Sequence, residues 1–132
     1  YIDTPTRAVA AFDYDDATGE ISRRREVVTV PEKLASPDGM TIDAEGKLWV
    51  AHWGAGAVCR WDPDGGRLLE KVDIPAAHTT ACTFGGSDLQ DLYVTSARQG
   101  LTDEDLAAQP LAGGLFRVRP GVRGVAAFDF AG

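Results

Sequence analysis

The sequence predicts an all-β chain. Short runs alternate apolar and polar residues, Gly- and Pro-rich turns separate them, and a repeat recurs along the chain. Phe12-Asp13-Tyr14-Asp15 closes one strand ahead of a Gly turn, and Arg60-Trp61-Asp62-Pro63 closes another. The strand pair at 40–51 returns at 82–96. The spacing of about 42–47 residues is that of a four-stranded propeller blade. A β-propeller is therefore expected, whereas a β-sandwich predicts no such repeat.

The elements follow in order. Residues 1–3 read as the end of a strand, with a turn at Thr4-Pro5. Strands are predicted at 8–14 and 20–30, around the turn cluster Asp15-Asp16-Ala17-Thr18-Gly19. A connecting loop covers 31–37. Further strands fall at 40–42, 48–51, 57–61, 67–74, 81–84, 92–95, 115–118 and 125–130. The irregular stretch 97–114 holds one short helix, because Thr102 is an N-cap residue with Asp103, Glu104 and Asp105 behind it. The count is about eleven strands, just under three blades where a closed ring has about four to eight. The domain reading is one partial propeller over 1–132. Residues 1–30 end one blade, 38–74 form a second and 80–132 a third.

The 132 residues carry a net charge of -7, which argues against nucleic acid or an anionic membrane as partner. Cys59 and Cys82 sit in apolar runs outside any C-x-x-C spacing, so buried free thiols are expected rather than a zinc knuckle or redox pair. No apolar run is long enough to span a bilayer, and no signal segment opens the chain, so a soluble, cytoplasmic protein is expected. Arg23-Arg24-Arg25 reads as a solvated outer face.

The stretch with the most chemistry is Ser36-Pro37-Asp38-Gly39-Met40. Proline fixes its own φ and extends Ser36, and Gly39 lets the backbone bend and approach a neighbour. Asp38 is held between them at the mouth of a strand. Taken alone it is a turn former. Blade order puts 37–38, 52–54, 78–80 and 96–98 on one face, with Asp38 and Thr80 beside the central channel. The turns at 15–19, 43–46 and 62–66 fall on the opposite face and are assigned no chemistry.

Pro37-Asp38-Gly39-Met40, followed by Ile42-Asp43-Ala44-Glu45-Gly46-Lys47-Leu48-Trp49-Val50-Ala51, resembles the signature of the gluconolactonase family that includes regucalcin (senescence marker protein). Ala11-Phe12-Asp13-Tyr14-Asp15, Thr18-Gly19-Glu20-Ile21-Ser22, Thr79-Thr80, Leu92-Tyr93-Val94-Thr95 and the closing Ala131-Gly132 are similar to it as well. The resemblance implies a six-bladed β-propeller of which this chain is the C-terminal half. It implies one divalent cation, Ca²⁺ or Zn²⁺ first and Mg²⁺ or Mn²⁺ second, and hydrolysis of a sugar lactone. Asp38 takes the roles of metal ligand and catalytic base, with a metal-activated water as nucleophile. The remaining family ligands lie upstream of this stretch, so the fragment alone is expected to be inactive.

On the same face, His52, Trp53 and Arg98 are candidate substrate contacts. His52 reads first as a packed loop residue, Trp53 equally as a sugar platform or a ring cap, and Arg98 first as an anchor for the long loop. His78 reads as surface, and Ser96 lacks a histidine partner for a triad. The expected partners are a sugar lactone and either the missing N-terminal half or a second copy of the chain. The reading from another class is a non-catalytic fragment acting as a calcium-associated or binding module, since one carboxylate holds a divalent ion poorly.

Overall fold

The computed structural model describes residues 1–128. Ten strands form three antiparallel sheets. The first contains β1 (Ile2–Asp3), β2 (Ala8–Tyr14) and β3 (Ile21–Thr29) in that order. The second contains β4 (Ser36–Ile42), β5 (Leu48–Trp53), β6 (Ala57–Asp62) and β7 (Arg67–Asp73). The third has β8 (Thr79–Gly85) at one edge, β9 (Asp91–Ser96) in the middle and β10 (Leu115–Val118) at the other edge. The helix α1 (Asp103–Ala108) lies in the long β9–β10 connection. Its capping box joins Thr102 and Asp105 reciprocally.

This corrects the six-bladed propeller expected of the chain. The sheets are open, and nothing among the described residues closes them into a ring. Among the described residues only the second has four strands. The strand expected at 125–130 is not formed over 125–128, and 129–130 lie outside the described residues. After β10 the chain bends at Gly121-Val122, and Arg123 and Gly124 bond to Ala44 and Leu89 rather than back to β10. Two expected loops also prove to be strand. Ser36 pairs with Trp53 and Pro37 with His52, drawing both segments into β4 and β5. Proline is accepted near the start of this edge strand because a ladder donor is dispensable there.

The second sheet lies between the other two and is apolar on both faces. Trp49 and Ala51 of β5, with Val58 of β6, pack towards Cys82, Phe84, Leu92 and Val94 of the third sheet. Trp49 and Phe84 meet edge to face, their centroids 5.9 Å apart. The alternate residues Val50, Cys59 and Trp61 pack towards Val9 and Val28 of the first sheet. Period-two alternation thus serves two cores at once. Cys59 and Cys82 are buried free thiols within them. Burial pushes their pKa values up to about 11 and about 12. No helix among the described residues is long and apolar enough to cross a membrane.

β4 and β8 meet backbone to backbone. A Cβ on Gly39 would stand 2.6 Å from Ala81 Cβ and 2.8 Å from Thr80 O. Each strand has a register irregularity at this level, between Pro37 and Met40 in β4 and between Thr79 and Ala81 in β8. Gly39→Ala is expected to lower stability by about 2 kcal/mol through overpacking against backbone that cannot retreat. Gly65→Ala, where an added Cβ meets nothing within 4 Å, is the control. Urea unfolding of the two variants checks this, and equal midpoints would contradict it.

Candidate functional site

Asp38 sits in the β4 irregularity, half-buried, one residue after the Pro37–His52 pair. Burial pushes its carboxyl pKa above the ordinary range. Thr80 occupies the matching irregularity of β8, and its hydroxyl lies 2.6 Å from that of Thr95.

His52 is fully buried. Its Nδ1 lies 3.0 Å from the Leu34 carbonyl, and Trp61 Nε1–H donates to its Nε2 at 3.3 Å. The ring is therefore the neutral Nδ1–H tautomer with both nitrogens engaged. Desolvation, only partly offset by the Leu34 carbonyl, lowers its pKa. His52 is thus a packed histidine and offers no open nitrogen to a ligand. The buried Thr79 hydroxyl fixes this end of the sheets, donating towards the His52 and Ala57 carbonyls, both at 2.8 Å, and accepting the His52 N–H.

Trp53 stacks on His78, with centroids 4.2 Å apart and planes 12° from parallel. His78 Nδ1 lies 3.1 Å from the Gln99 carbonyl. Arg98 is exposed, and its stem lies over Gly113, where an added Cβ would come within 2.8 Å of Arg98 Cγ. Trp53 and His78 are thus brought together across the second and third sheets, and Arg98 rests on the long connection.

The sequence predicts a divalent cation at Asp38. The structure corrects this: no group of three or more His, Cys, Asp or Glu among the described residues could hold a metal ion. One carboxylate offers two oxygens, whereas Ca²⁺ takes about six to eight and Zn²⁺ about four donors. No buried side-chain nitrogen or oxygen among these residues lacks a partner, so no orphaned donor set awaits an ion. Without ligands for Ca²⁺, Zn²⁺, Mg²⁺ or Mn²⁺, the metal-activated water has no place to form. Lactone hydrolysis, and with it the reading of this chain as a sugar lactonase, is overturned on the same ground.

The sequence reading missed Asp43, taken as a plain turn residue. Its carboxylate is buried and accepts Trp49 Nε1–H at 2.9 Å, Arg60 Nε–H at 2.7 Å and the backbone N–H groups of Glu45 and Lys47, both at 2.9 Å. Arg60 also reaches Glu45 at 2.6 Å. Burial alone would raise the Asp43 pKa, but these donors outweigh it and hold the group below the usual carboxylate range. Asp91, the first residue of β9, is a second buried aspartate, paired with Arg119 at 2.6 Å. The available signal for Asp43 is its place at the head of the Asp43-Ala44-Glu45-Gly46 turn, where an aspartate accepts the backbone donors of its own turn.

Asp43→Asn is expected to cost about 2–4 kcal/mol in urea unfolding at pH 7, because it leaves the Arg60 guanidinium poorly paired. The loss should shrink as pH falls through the depressed Asp43 pKa, where the parent carboxylate also takes a proton. Asp38 behaves oppositely. Its raised pKa means that the folded chain holds the proton more tightly, so the ionised form destabilises the fold as pH rises through that window and above it. Asp38→Asn should therefore raise the melting temperature at pH 7, with the gain vanishing below the ordinary value of 3.8. A lower melting temperature at pH 7 would contradict this.

The family model described as the SMP-30/Gluconolactonase/LRE-like region matches residues 1–98. Human regucalcin is 49% identical over 133 residues, covering 100% of this chain and 44% of its own length. Rabbit (Oryctolagus cuniculus) regucalcin is 47% identical with the same coverage. The chain thus spans under half the length of these curated relatives. Among solved structures, a calcium-binding protein, regucalcin, from Agrobacterium tumefaciens is similar with a TM-score of 0.87 and 34% identity, covering 94% of this chain and 42% of that one. A luciferin-regenerating enzyme is similar with a TM-score of 0.84 and 39% identity, covering 96% and 42%. By sequence along its whole length, and by fold over nearly all of it, the chain belongs to the SMP-30/gluconolactonase/regucalcin family.

Proposed function

We propose that this chain is a non-catalytic binding module whose partner is a polypeptide taken up at its open sheet edges. The observation that carries this reading is the cleft between the first and second sheets. It has a volume of about 350 Å³ and is lined by Tyr1, Val9, Ala10, Phe12, Met40 and Leu48 among others. Tyr1 is 69% exposed, and Met40 and Ile42 of β4 are more than one-third exposed. Apolar surface placed beside an unpaired strand edge favours a peptide that supplies both a side chain and backbone hydrogen bonds. The net charge of -7 disfavours nucleic acid.

The relatives suggest the nature of the partner. They are more than twice as long as this chain, so the polypeptide that completes them is of the right chemistry to cover such edges. A second copy of this chain is the other polypeptide with matching surfaces. The module is one domain of three units, 1–30, 38–74 and 80–132. Asp38, Trp53 and Arg98, at the ends of the second and third sheets, offer the partner one acidic, one aromatic and one basic contact.

The test uses calorimetric titration of the chain with the portion of human regucalcin outside the matched stretch. A saturable complex is expected, weakened about tenfold or more by Met40→Glu. No binding at about 100 µM, or lactone hydrolysis by the chain alone that Asp38→Asn abolishes, would overturn the proposal.

A further inference from the structure

His52 ties a strained strap to the core. The strap, residues 31–35, joins β3 to β4 and contains one helical turn, Glu32–Leu34. Leu34 N–H donates to Pro31 O at 2.9 Å and Ala35 N–H to Glu32 O at 2.8 Å. The Leu34 side chain is buried with Val9, Val28 and Val30 in the core between the first and second sheets. Its carbonyl receives the His52 Nδ1–H at 3.0 Å. Ala35 then adopts φ 53° and ψ -130°. That conformation suits glycine, and an alanine held there is strained. Ala35 is also packed, since a Cβ on Gly54 would stand 3.2 Å from its own Cβ. Directly after it come Ser36, Pro37 and Asp38, the start of β4.

The His52 side chain is fully buried, and its Nε2 accepts the Trp61 Nε1–H at 3.3 Å. A proton on Nε2 would set two N–H donors against each other and leave a charge in an apolar core. Burial accordingly lowers the His52 pKa, and the Leu34 carbonyl offsets only part of that. No acid among the described residues offsets the charge. On the strap, Glu32 and Lys33 are exposed. On β6, Arg60 pairs with Asp43 and Glu45, and Asp62 with Lys47. Burial raises the thiol pKa values of Cys59 on β6 and Cys82 on β8, so both are neutral. In the first sheet Asp13 pairs with Arg23 and Arg25, Glu26 accepts from the Thr29 hydroxyl, and Arg7 reaches the Val30 carbonyl. His78, next to Thr79, stacks on Trp53 and turns its Nδ1 to the Gln99 carbonyl. Asp38 of β4 remains. Burial raises its pKa, so its proton uptake favours the folded form as pH falls, opposite in sign to His52.

We infer that His52 is an acid-released latch on the 31–35 strap. The neutral ring closes the strap, with Nδ1–H on the Leu34 carbonyl and Nε2 beneath the Trp61 indole. In acid one proton from solvent enters at Nε2, the Trp61 N–H···N bond breaks, and the imidazolium reaches water by leaving the Leu34 carbonyl. The strap then lifts, because Ala35 gains by relaxing to a negative φ, and the Ser36–Asp38 start of β4 is freed with it. The strained residue supplies the tendency to open, and the buried ring sets the pH at which opening occurs. The folded pKa of His52 is depressed, so the closed form is fully stabilised above the ordinary value of 6.5. It loses that stabilisation as pH falls below 6.5, until the depressed folded pKa is reached. The latch is independent of the partner proposed above.

Native-state hydrogen exchange of the 132-residue chain, from about pH 7.5 to about pH 5, tests the inference. The opening constants of the Leu34 and Ala35 amides, corrected for the intrinsic rate at each pH, are expected to be flat above about pH 7. Below 6.5 they should rise about tenfold per pH unit, the uptake of one proton per opening. They should exceed those of Val94 on β9, since the strap opens without the core. His52→Gln keeps a donor for Leu34 and an acceptor for Trp61 but does not titrate, and should abolish the rise. Trp61→Phe removes the bond that favours the neutral ring, and should move the rise to higher pH. Ala35→Gly should lower strap opening about fivefold at every pH with the slope kept. Strap opening that ignores pH in the parent overturns the inference, and so does a rise that survives His52→Gln. Equal opening of the strap and of Val94 at each pH overturns it too, because His52 would then stabilise the whole fold without acting as a latch.

Discussion

Two strands in this protein touch where neither has a side chain to spare. At Gly39 and Ala81 the first strands of the second and third sheets come within backbone contact, and the rest of the arrangement follows from that spacing. It brings Trp49 edge-on to Phe84 and sets Cys82 Sγ 3.2 Å from the Trp49 carbonyl. It also lets the Thr79 hydroxyl reach both the His52 and Ala57 carbonyls. Any β-carbon at position 39 would push these sheets apart and open the core between them.

The second sheet then becomes an inner layer, with consequences for its polar residues. Buried on both faces, it must satisfy every polar group internally. Asp43 does so for the β4–β5 turn, collecting donors from Trp49, Arg60 and two backbone amides. His52 does so at the other end, between the Leu34 carbonyl and the Trp61 indole. Both are titratable, and both are held in one protonation state by their partners. The same logic accounts for the limited chemistry of Asp38. It is half-buried and desolvated, and no group of three or more His, Cys, Asp or Glu among the described residues could hold an ion with it.

The outer sheets show the converse. Among the described residues each has three strands. Tyr1, beside the first sheet, and Leu115, in the third, stand exposed there. The chain spans 44% of its relatives' length.

Much of this was legible in the residues. The limits of β2, β3 and β10 were legible to within a residue, because Gly-, Pro- and Asp-rich turns bound them. The Thr102 cap and the acids behind it located α1. The Pro37-Asp38-Gly39 motif announced a close backbone approach and placed the chain in its family. The strand ends were not legible, since Ser36–Pro37 and His52–Trp53 look like loop until their pairing is seen. Nor was the fate of the polar residues. A lone histidine beside a tryptophan and an aspartate in a turn read the same whether they face solvent or a core. Only packing decided that His52 and Asp43 are interior. Sequence carries the local rules of strand, turn and cap, which act over a few residues. Closure, burial and coordination depend on which distant segments meet, and that was settled by the three sheets coming together.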